Sequence, residues 1–328
     1  MEPWTDLVDR ALEVGVVGSF TNVGLRVRRR VGRWTDPAPD ALAGRSVMIT
    51  GTTSGIGRAA ATACARLGAT VHTVGRDPER TAVAAQEIAE AAGGATVHAW
   101  TADLGDLASV RTLATDFLAA GHPLDSLVHN AGALLARRTL SPQGHEATVA
   151  TMVLGPTLLT ESLAPLLAAS GAALVPPIAR VVFVASGGMY LQGVDAADPL
   201  GERSDRGYRG TVAYARAKRA QVVLTDRWAH RWPGVAVHAM HPGWAATPGV
   251  HESLPRFERV LGPWLRTPTE GADTIVWLLT DPAAAGMSGR FWHDRRERTT
   301  IRVPGTATSP GTTDRLVAAI DDALSPWR

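Results

Sequence analysis

The chain has 328 residues, 45% of them hydrophobic and 20% charged, which allows one large or two ordinary domains with a sizeable core. A formal net charge of +2 gives no reason to expect nucleic acid as a partner. The single cysteine, Cys64, excludes an intrachain disulfide and a cysteine-based metal cluster, and agrees with a reducing, cytoplasmic setting.

Residues 1–43 read as an N-terminal extension. Leu7, Ala11, Val14 and Gly18 have helical spacing, and Pro37 and Pro39 break the chain before the next element. Arg26, Arg28, Arg29, Arg30 and Arg33 follow the apolar run around Val14–Phe20, whereas a secretory signal puts its basic residues first. That run is also far short of the roughly 20 residues a membrane span needs. Three readings stay open for the extension: a solvated helix packed on the domain, a contact in a homo-oligomer, or a peripheral membrane contact through residues 1–33.

From Ser46 onward, apolar runs alternate with helical stretches. Val47–Ile49, Thr70–Val74, Thr96–Trp100, Ser126–His129, Arg180–Ala185 and Val235–Met240 read as strands, with a short late one at Gly289–Trp292. Helices are expected near 56–67, 79–92, 106–120, 144–169, 211–231 and 269–280. This alternation predicts an α/β fold, a single doubly wound domain over residues 44–300 with a parallel sheet covered on both faces. A tail over 301–328 is expected to wrap the surface, with a last short helix near 313–324.

Directly after the first strand comes Thr50-Gly51-Thr52-Thr53-Ser54-Gly55-Ile56-Gly57, and then a helix. Glycines there permit a tight turn and close approach of the backbone to a pyrophosphate, and the helix opening offers free N–H groups and the positive end of its dipole. The second strand ends at Gly75-Arg76-Asp77. A site for NAD usually carries a carboxylate where Gly75 stands, and the adjacent Arg76 suits a 2′-phosphate, so NADP(H) is expected in preference to NAD(H). Asp77 is one residue from the position that would reverse this reading.

In combination, these motifs resemble the short-chain dehydrogenase/reductase family. Thr50–Gly57 is similar to its TGxxxGxG signature, and Asp103-Leu104 to its adenine-pocket pair. Asn130-Ala131-Gly132 is similar to its NNAG motif, with His129 in place of the first Asn. Tyr214-Ala215-Arg216-Ala217-Lys218 matches YxxxK, and Pro242-Gly243 matches the turn that meets the nicotinamide, with Thr247 beyond it in the run Met240–Val250. The resemblance covers about 200 residues, implies a Rossmann domain and carbonyl/alcohol chemistry, and assigns Gly51, Thr53, Ser54, Gly55, Ile56, Gly57, Arg76, Asp103, Leu104, Asn130, Ala131, Gly132, Tyr214, Lys218, Pro242, Gly243 and Thr247 to the cofactor. For Asn130, a strand-end hydrogen bond supporting the sheet is the equal alternative.

Tyr214 and Lys218 stand at i and i+4, on one helix face, and Lys218 is the chain's only lysine among 33 basic residues. An ammonium near a phenol is expected to lower its pKa, making Tyr214 a proton donor to a carbonyl receiving hydride. Ser186, ending the fifth strand, is placed to hydrogen-bond the substrate oxygen. One position departs from the family: Met152 stands where relatives carry an asparagine that organises a relay water, which leaves two readings open, a water held by a backbone carbonyl alone or a nucleotide-binding protein with little or no turnover. Residues 191–210 read as an inserted loop near the site. Met189, Tyr190 and Trp244, with an apolar face of Leu254, Phe257, Val260, Leu261, Trp264 and Leu265, predict a small hydrophobic carbonyl or alcohol as substrate. His238, His241 and His293 fit no metal-ligand spacing.

Overall fold

The computed structural model describes residues 3–172, 179–203, 207–253 and 255–328. Three helices open the chain: α1 (Pro3–Val14), α2 (Val16–Phe20) and α3 (Asn22–Val31). Then β1 (Ser46–Thr50), α4 (Gly55–Arg66), β2 (Thr70–Gly75), α5 (Pro78–Ala91), β3 (Val97–Thr101), α6 (Leu107–Ala119) and β4 (Ser126–His129) alternate. A single turn α7 (Ala147–Val149) and a π-helical turn (Ala150–Leu154) lead into α8 (Gly155–Ala172), β5 (Arg180–Val184), a 3-10 turn (Gly187–Tyr190), α9 (Gly210–Arg231) and β6 (Ala236–His241). The remainder comprises α10 (Pro248–Ser253), α11 (Pro255–Leu261), α12 (Pro268–Thr280), α13 (Pro282–Ala285), β7 (Arg290–His293), β8 (Arg296–Glu297) and α14 (Pro310–Leu324).

The strands form one sheet in the order β3-β2-β1-β4-β5-β6-β7-β8, parallel except for the β7–β8 pair. Alternating side chains feed two cores, as the pleat requires. Met48, Leu127, Val181, Phe183 and Val237 face the layer of α6, α8 and α9, while Val47, Ile49, Val128, Val182 and Met240 face α4 and α12. The seven parallel strands fall within about two residues of the runs expected from sequence, the usual uncertainty at element ends. β8 was not foreseen: two residues, Arg296 and Glu297, carry no apolar pattern.

The expected helix over 144–169 is interrupted, and Pro156 supplies a reason. It has no N–H to donate to the carbonyl four residues back, so Met152 loses its α-helical partner and its oxygen accepts instead from Gln221 Nε2 at 2.7 Å. Gly155 is obligatory here, since a Cβ would lie 2.1 Å from the Leu104 carbonyl oxygen. The run Ala147–Ser170 is long and apolar enough to cross a membrane, but most of it is buried as core.

Both ends of the chain are more deeply built in than the sequence reading expected. The tail does more than wrap the surface, because α14 buries Leu316, Ile320 and Leu324 in the main core against α9. In the extension, Arg28 is buried. It donates from Nε to Asp9 (2.7 Å), from Nη2 to Glu13 (2.6 Å) and from Nη1 to Asp294 (2.6 Å). Arg266 grips the same Asp294 with two hydrogen bonds, of 2.6 and 2.9 Å. Burial alone would raise the Asp294 pKa. The charges of His293, Arg266 and Arg28 outweigh it and hold the carboxyl well below the usual range.

Removing one member of a buried ion network leaves the others uncompensated. Arg28→Met should therefore cost about 3–5 kcal/mol in urea unfolding, and a loss under about 1 kcal/mol would mean that the network contributes no more than a surface pair.

Candidate active site

The carboxyl ends of β1, β4, β5 and β6 define the edge at which the expected site residues meet. After β1 the chain turns through Gly51, whose φ of +72° and whose distance to Ala131 (2.9 Å from a would-be Cβ to Cα) both demand glycine. Asn130 braces this turn, its Nδ2 donating to the Thr50 oxygen at 2.9 Å and the Gly51 oxygen at 3.1 Å. The amides of Asn130 and Ala131 both donate to Thr50 Oγ1 at 3.1 Å. Gly57 lies against the same bracket, where a Cβ would come within 2.3 Å of Asn130 Nδ2. Of the two roles considered for Asn130, these contacts are the supporting one.

Ser54 sits at the N-cap of α4 but makes no side-chain cap hydrogen bond, so the opening amides of α4 keep their donors for another acceptor. Thr52 Oγ1 is buried in the same turn with no partner among the described residues. Thr53 packs its methyl toward Gly75, Gly55 (φ +58°) faces the Thr247 methyl, and Ile56 packs on Gly271. Arg76 is exposed at the end of β2. Asp77, the residue that could have reversed the cofactor reading, is spent as the N-cap of α5, accepting from the Arg80 amide at 3.0 Å. Asp103 accepts from the Gly105 amide at 2.8 Å and is exposed, while Leu104 is buried.

Across the edge, Ser186 follows β5 and accepts from the Gly188 amide at 3.3 Å. Tyr214 and Lys218 project from α9. Burial pushes the Tyr214 phenol up, opposed by its interaction with the Ser186 hydroxyl. The expected lowering by Lys218 is absent from this balance. Lys218 Nζ lies 5.6 Å from the ring centroid, donates to the Val184 carbonyl at 2.6 Å, and is itself pulled down to about 7 by burial. A methyl on Gly132 would lie 3.1 Å from Met152 Sδ and 3.6 Å from Lys218 Nζ, so the thioether stands beside the lysine. The Met152 carbonyl, expected to face a relay water, is engaged by Gln221.

Pro242-Gly243 is anchored from below by Arg266, which donates to the Pro242 oxygen at 3.1 Å, and a Cβ on Gly243 (φ +78°) would strike its guanidinium at 2.2 Å. Sequence reasoning missed the residue that flanks both halves of the site, Phe20 of the extension. Its ring lies 4.4 Å from His241 and 5.6 Å from Trp244 by centroid, its carbonyl accepts from the Trp244 amide at 2.7 Å, and a methyl on Gly187 would meet it at 3.1 Å. No periodicity marks it, because its partners are some 170 to 220 residues away in sequence.

The substrate side differs from expectation. Met189 and Tyr190 turn into the core: Met189 Sδ accepts from Arg219, and the Tyr190 hydroxyl donates to the Thr299 oxygen at 2.9 Å. The tight turn after Ser186 directs both inward. Trp244 remains half-buried with Phe257 edge-on at 5.0 Å, Leu265 is buried, Val260 and Trp264 are exposed, and Leu254 lies outside the described residues. His238 and His293 spend ring nitrogens on Trp292, Ala284 and the His241 oxygen.

The short chain dehydrogenase model matches residues 45–194. Dehydrogenase/reductase SDR family member 12 from Bos taurus is 40% identical over 281 residues, covering 85% of this chain and 86% of that protein. Polyprenol dehydrogenase from Mus musculus is 35% identical over 303 residues, covering 87% and 86% respectively. Among solved structures, a short chain dehydrogenase from Escherichia coli complexed with NADPH is similar at a TM-score of 0.62 and 26% identity, over 79% of this chain and 100% of that one.

Proposed function

The chain belongs to the short chain dehydrogenases, NAD(P)-dependent oxidoreductases, and from that premise we propose that it interconverts a hydrophobic carbonyl compound and its alcohol with NADP(H). The observation that carries this reading is the gathering of Ser186, Tyr214 and Lys218 at the edge that also holds the glycine turn. The uncapped first turn of α4 and the unpartnered Thr52 hydroxyl fit a pyrophosphate, and exposed Arg76, with Asp77 withdrawn into a cap, fits a ribose 2′-phosphate. Asp103, Leu104, Ala131, Gly132 and Thr247 would complete the nucleotide's surroundings, within a domain over residues 44–300.

When bound, the nicotinamide supplies or accepts the hydride; the chain's own residues manage protons and position. Ser186 holds the substrate oxygen. Tyr214, kept protonated by burial, gives its proton to that oxygen as charge develops there, and takes it back in oxidation. Lys218, seated on the Val184 carbonyl 5.6 Å from the Tyr214 ring centroid, would hold the ribose hydroxyls. Pro242-Gly243, fixed by Arg266, shapes the nicotinamide end. Half-buried Trp244 and Phe257 support an apolar substrate, as does the kinship to a polyprenol dehydrogenase.

Lys218→Met should cut kcat/KM by more than tenfold, over about 1.4 kcal/mol of transition-state stabilisation, with the fold intact by circular dichroism. Retention of over a tenth of the activity would remove Lys218 from the mechanism. Arg76→Ala should weaken NADPH binding strongly and NADH binding little in calorimetry; equal losses would show that Arg76 does not read the phosphate. Met152 beside Lys218 favours a second reading, a nucleotide-binding protein with little turnover. Met152→Asn tests it. On the first reading the variant keeps or gains activity while losing about 1–3 kcal/mol of stability if its buried amide finds no partner. A parent inactive on every carbonyl but rescued by asparagine would establish the second reading. A tenfold fall in kcat with unchanged NADPH affinity would instead mean that the pocket is adapted to the thioether.

A further inference from the structure

The helix α1 has its polarity inverted relative to an ordinary surface helix, which buries its apolar stripe. Its inward face is ionic. Asp9 pairs with Arg28, Arg296 and Arg298, and Glu13 pairs with Arg28 and Arg302. Its outward face, at the 3-4-3 spacing of one helical stripe, is Trp4, Leu7, Ala11 and Val14, with Trp4 47%, Leu7 69% and Val14 88% exposed. Arg10 lies on that same stripe, between Leu7 and Val14.

The neighbouring α3 continues the pattern. Val23, Arg26 and Arg30 share a face at helical spacing, and all three are exposed, as are Arg29 and Arg33. Asn22 Nδ2 donates to the carbonyls of Pro263 and Leu265, at 3.3 Å each, which brackets Trp264 beside the start of α3; Trp264 is 49% and Val260 68% exposed. The extension thus sorts its charges, turning Asp9 and Glu13 inward and most of its arginines outward around large apolar side chains. Through Phe20 it is seated at the carboxyl edge of β5, β6 and β7, the edge where Ser186 and Pro242-Gly243 lie.

We propose that this face, Trp4, Leu7, Val14 and Val23 set among Arg10, Arg30 and Arg33, docks the protein on an anionic lipid surface. Exposed apolar side chains enter the headgroup region while arginines meet negative headgroups, the two contributions that hold an interfacial helix in place. A second copy is disfavoured by the same charges, because a two-fold contact through this face would bring arginines against arginines. The proposal deepens the activity read above, since it brings the catalytic edge to the phase that holds apolar alcohols and carbonyls.

The full chain should co-sediment with vesicles of phosphatidylcholine containing about 30% phosphatidylserine and much less with pure phosphatidylcholine, and added salt should weaken it. Leu7→Glu with Val14→Glu, at sites too exposed to disturb the core, should reduce vesicle affinity at least tenfold, and Arg10→Glu with Arg30→Glu should abolish the difference between the two vesicle types. Absence of binding to anionic vesicles, or undiminished binding by the Leu7/Val14 variant, would overturn the proposal. So would a lipid-free dimer, seen by sedimentation velocity, that the same variant dissociates. Vesicle binding is read without substrate, so failure of every tested carbonyl would overturn the proposed activity and leave this surface standing.

Discussion

Two arginines from distant parts of the chain, Arg28 and Arg266, converge on one carboxylate, Asp294, which has no exposure to solvent and sits in a left-handed backbone conformation with φ +54°. Such a charge is tolerable inside a protein only when it is paired and hydrogen-bonded. The site's geometry follows from how that pairing is met. Arg266 reaches Asp294 from beneath the Pro242-Gly243 turn and on the way binds the Pro242, Ser19 and Thr21 carbonyls. Arg28 reaches it from α3 and binds the Ser19 carbonyl as well. The Pro242-Gly243 turn and the extension are therefore fixed to the same point.

This arrangement explains why a segment lying before every recognisable motif becomes part of the site's frame. With Ser19 held by Arg28 and Arg266, Phe20 is delivered among His241, Trp244 and Gly187, the residue after Ser186. Dispersion contacts of this kind add individually small energies. Their value here is placement, since they join the ends of β5 and β6 to an element that an ionic network holds rigid. An all-apolar replacement of the network would match it in energy more readily than in the fixed direction of each guanidinium.

What was legible in the sequence was whatever is encoded locally. Apolar runs gave the parallel strands, and the helical stretches between them gave α5 and α12 near 79–92 and 269–280. The glycine turn and the Tyr214–Lys218 pair stood out because their spacing is local, a turn between β1 and α4 and two positions one helical turn apart. The illegible parts depend on partners far along the chain. Arg28 is one of several similar arginines, and only the fold decides that it is buried while Arg29 and Arg30 are not. Met189 and Tyr190 are apolar enough to line a pocket, yet a tight turn sends them into the core. Leu316, Ile320 and Leu324 had a recognisable helix but no sign of which surface would receive them.

Among 33 basic side chains, only position 218 is lysine, and its surroundings give a physical reason for the exception. The nitrogen is buried, donates to the Val184 carbonyl, and stands near both the Tyr214 ring and the Met152 sulfur. Burial pulls its pKa down to about 7. A guanidinium could not do this. It stays charged whatever its surroundings, and its planar fork needs several acceptors in one plane, where the hydrogen bond made by Lys218 among the described residues goes to one carbonyl, that of Val184. Elsewhere in the fold the opposite properties are wanted: at Arg28 and Arg266, several acceptors converge and permanent charge is what balances Asp294. At Arg28 and Arg266 permanent, directional charge is therefore what the fold uses, while position 218 holds a single buried ammonium on one carbonyl.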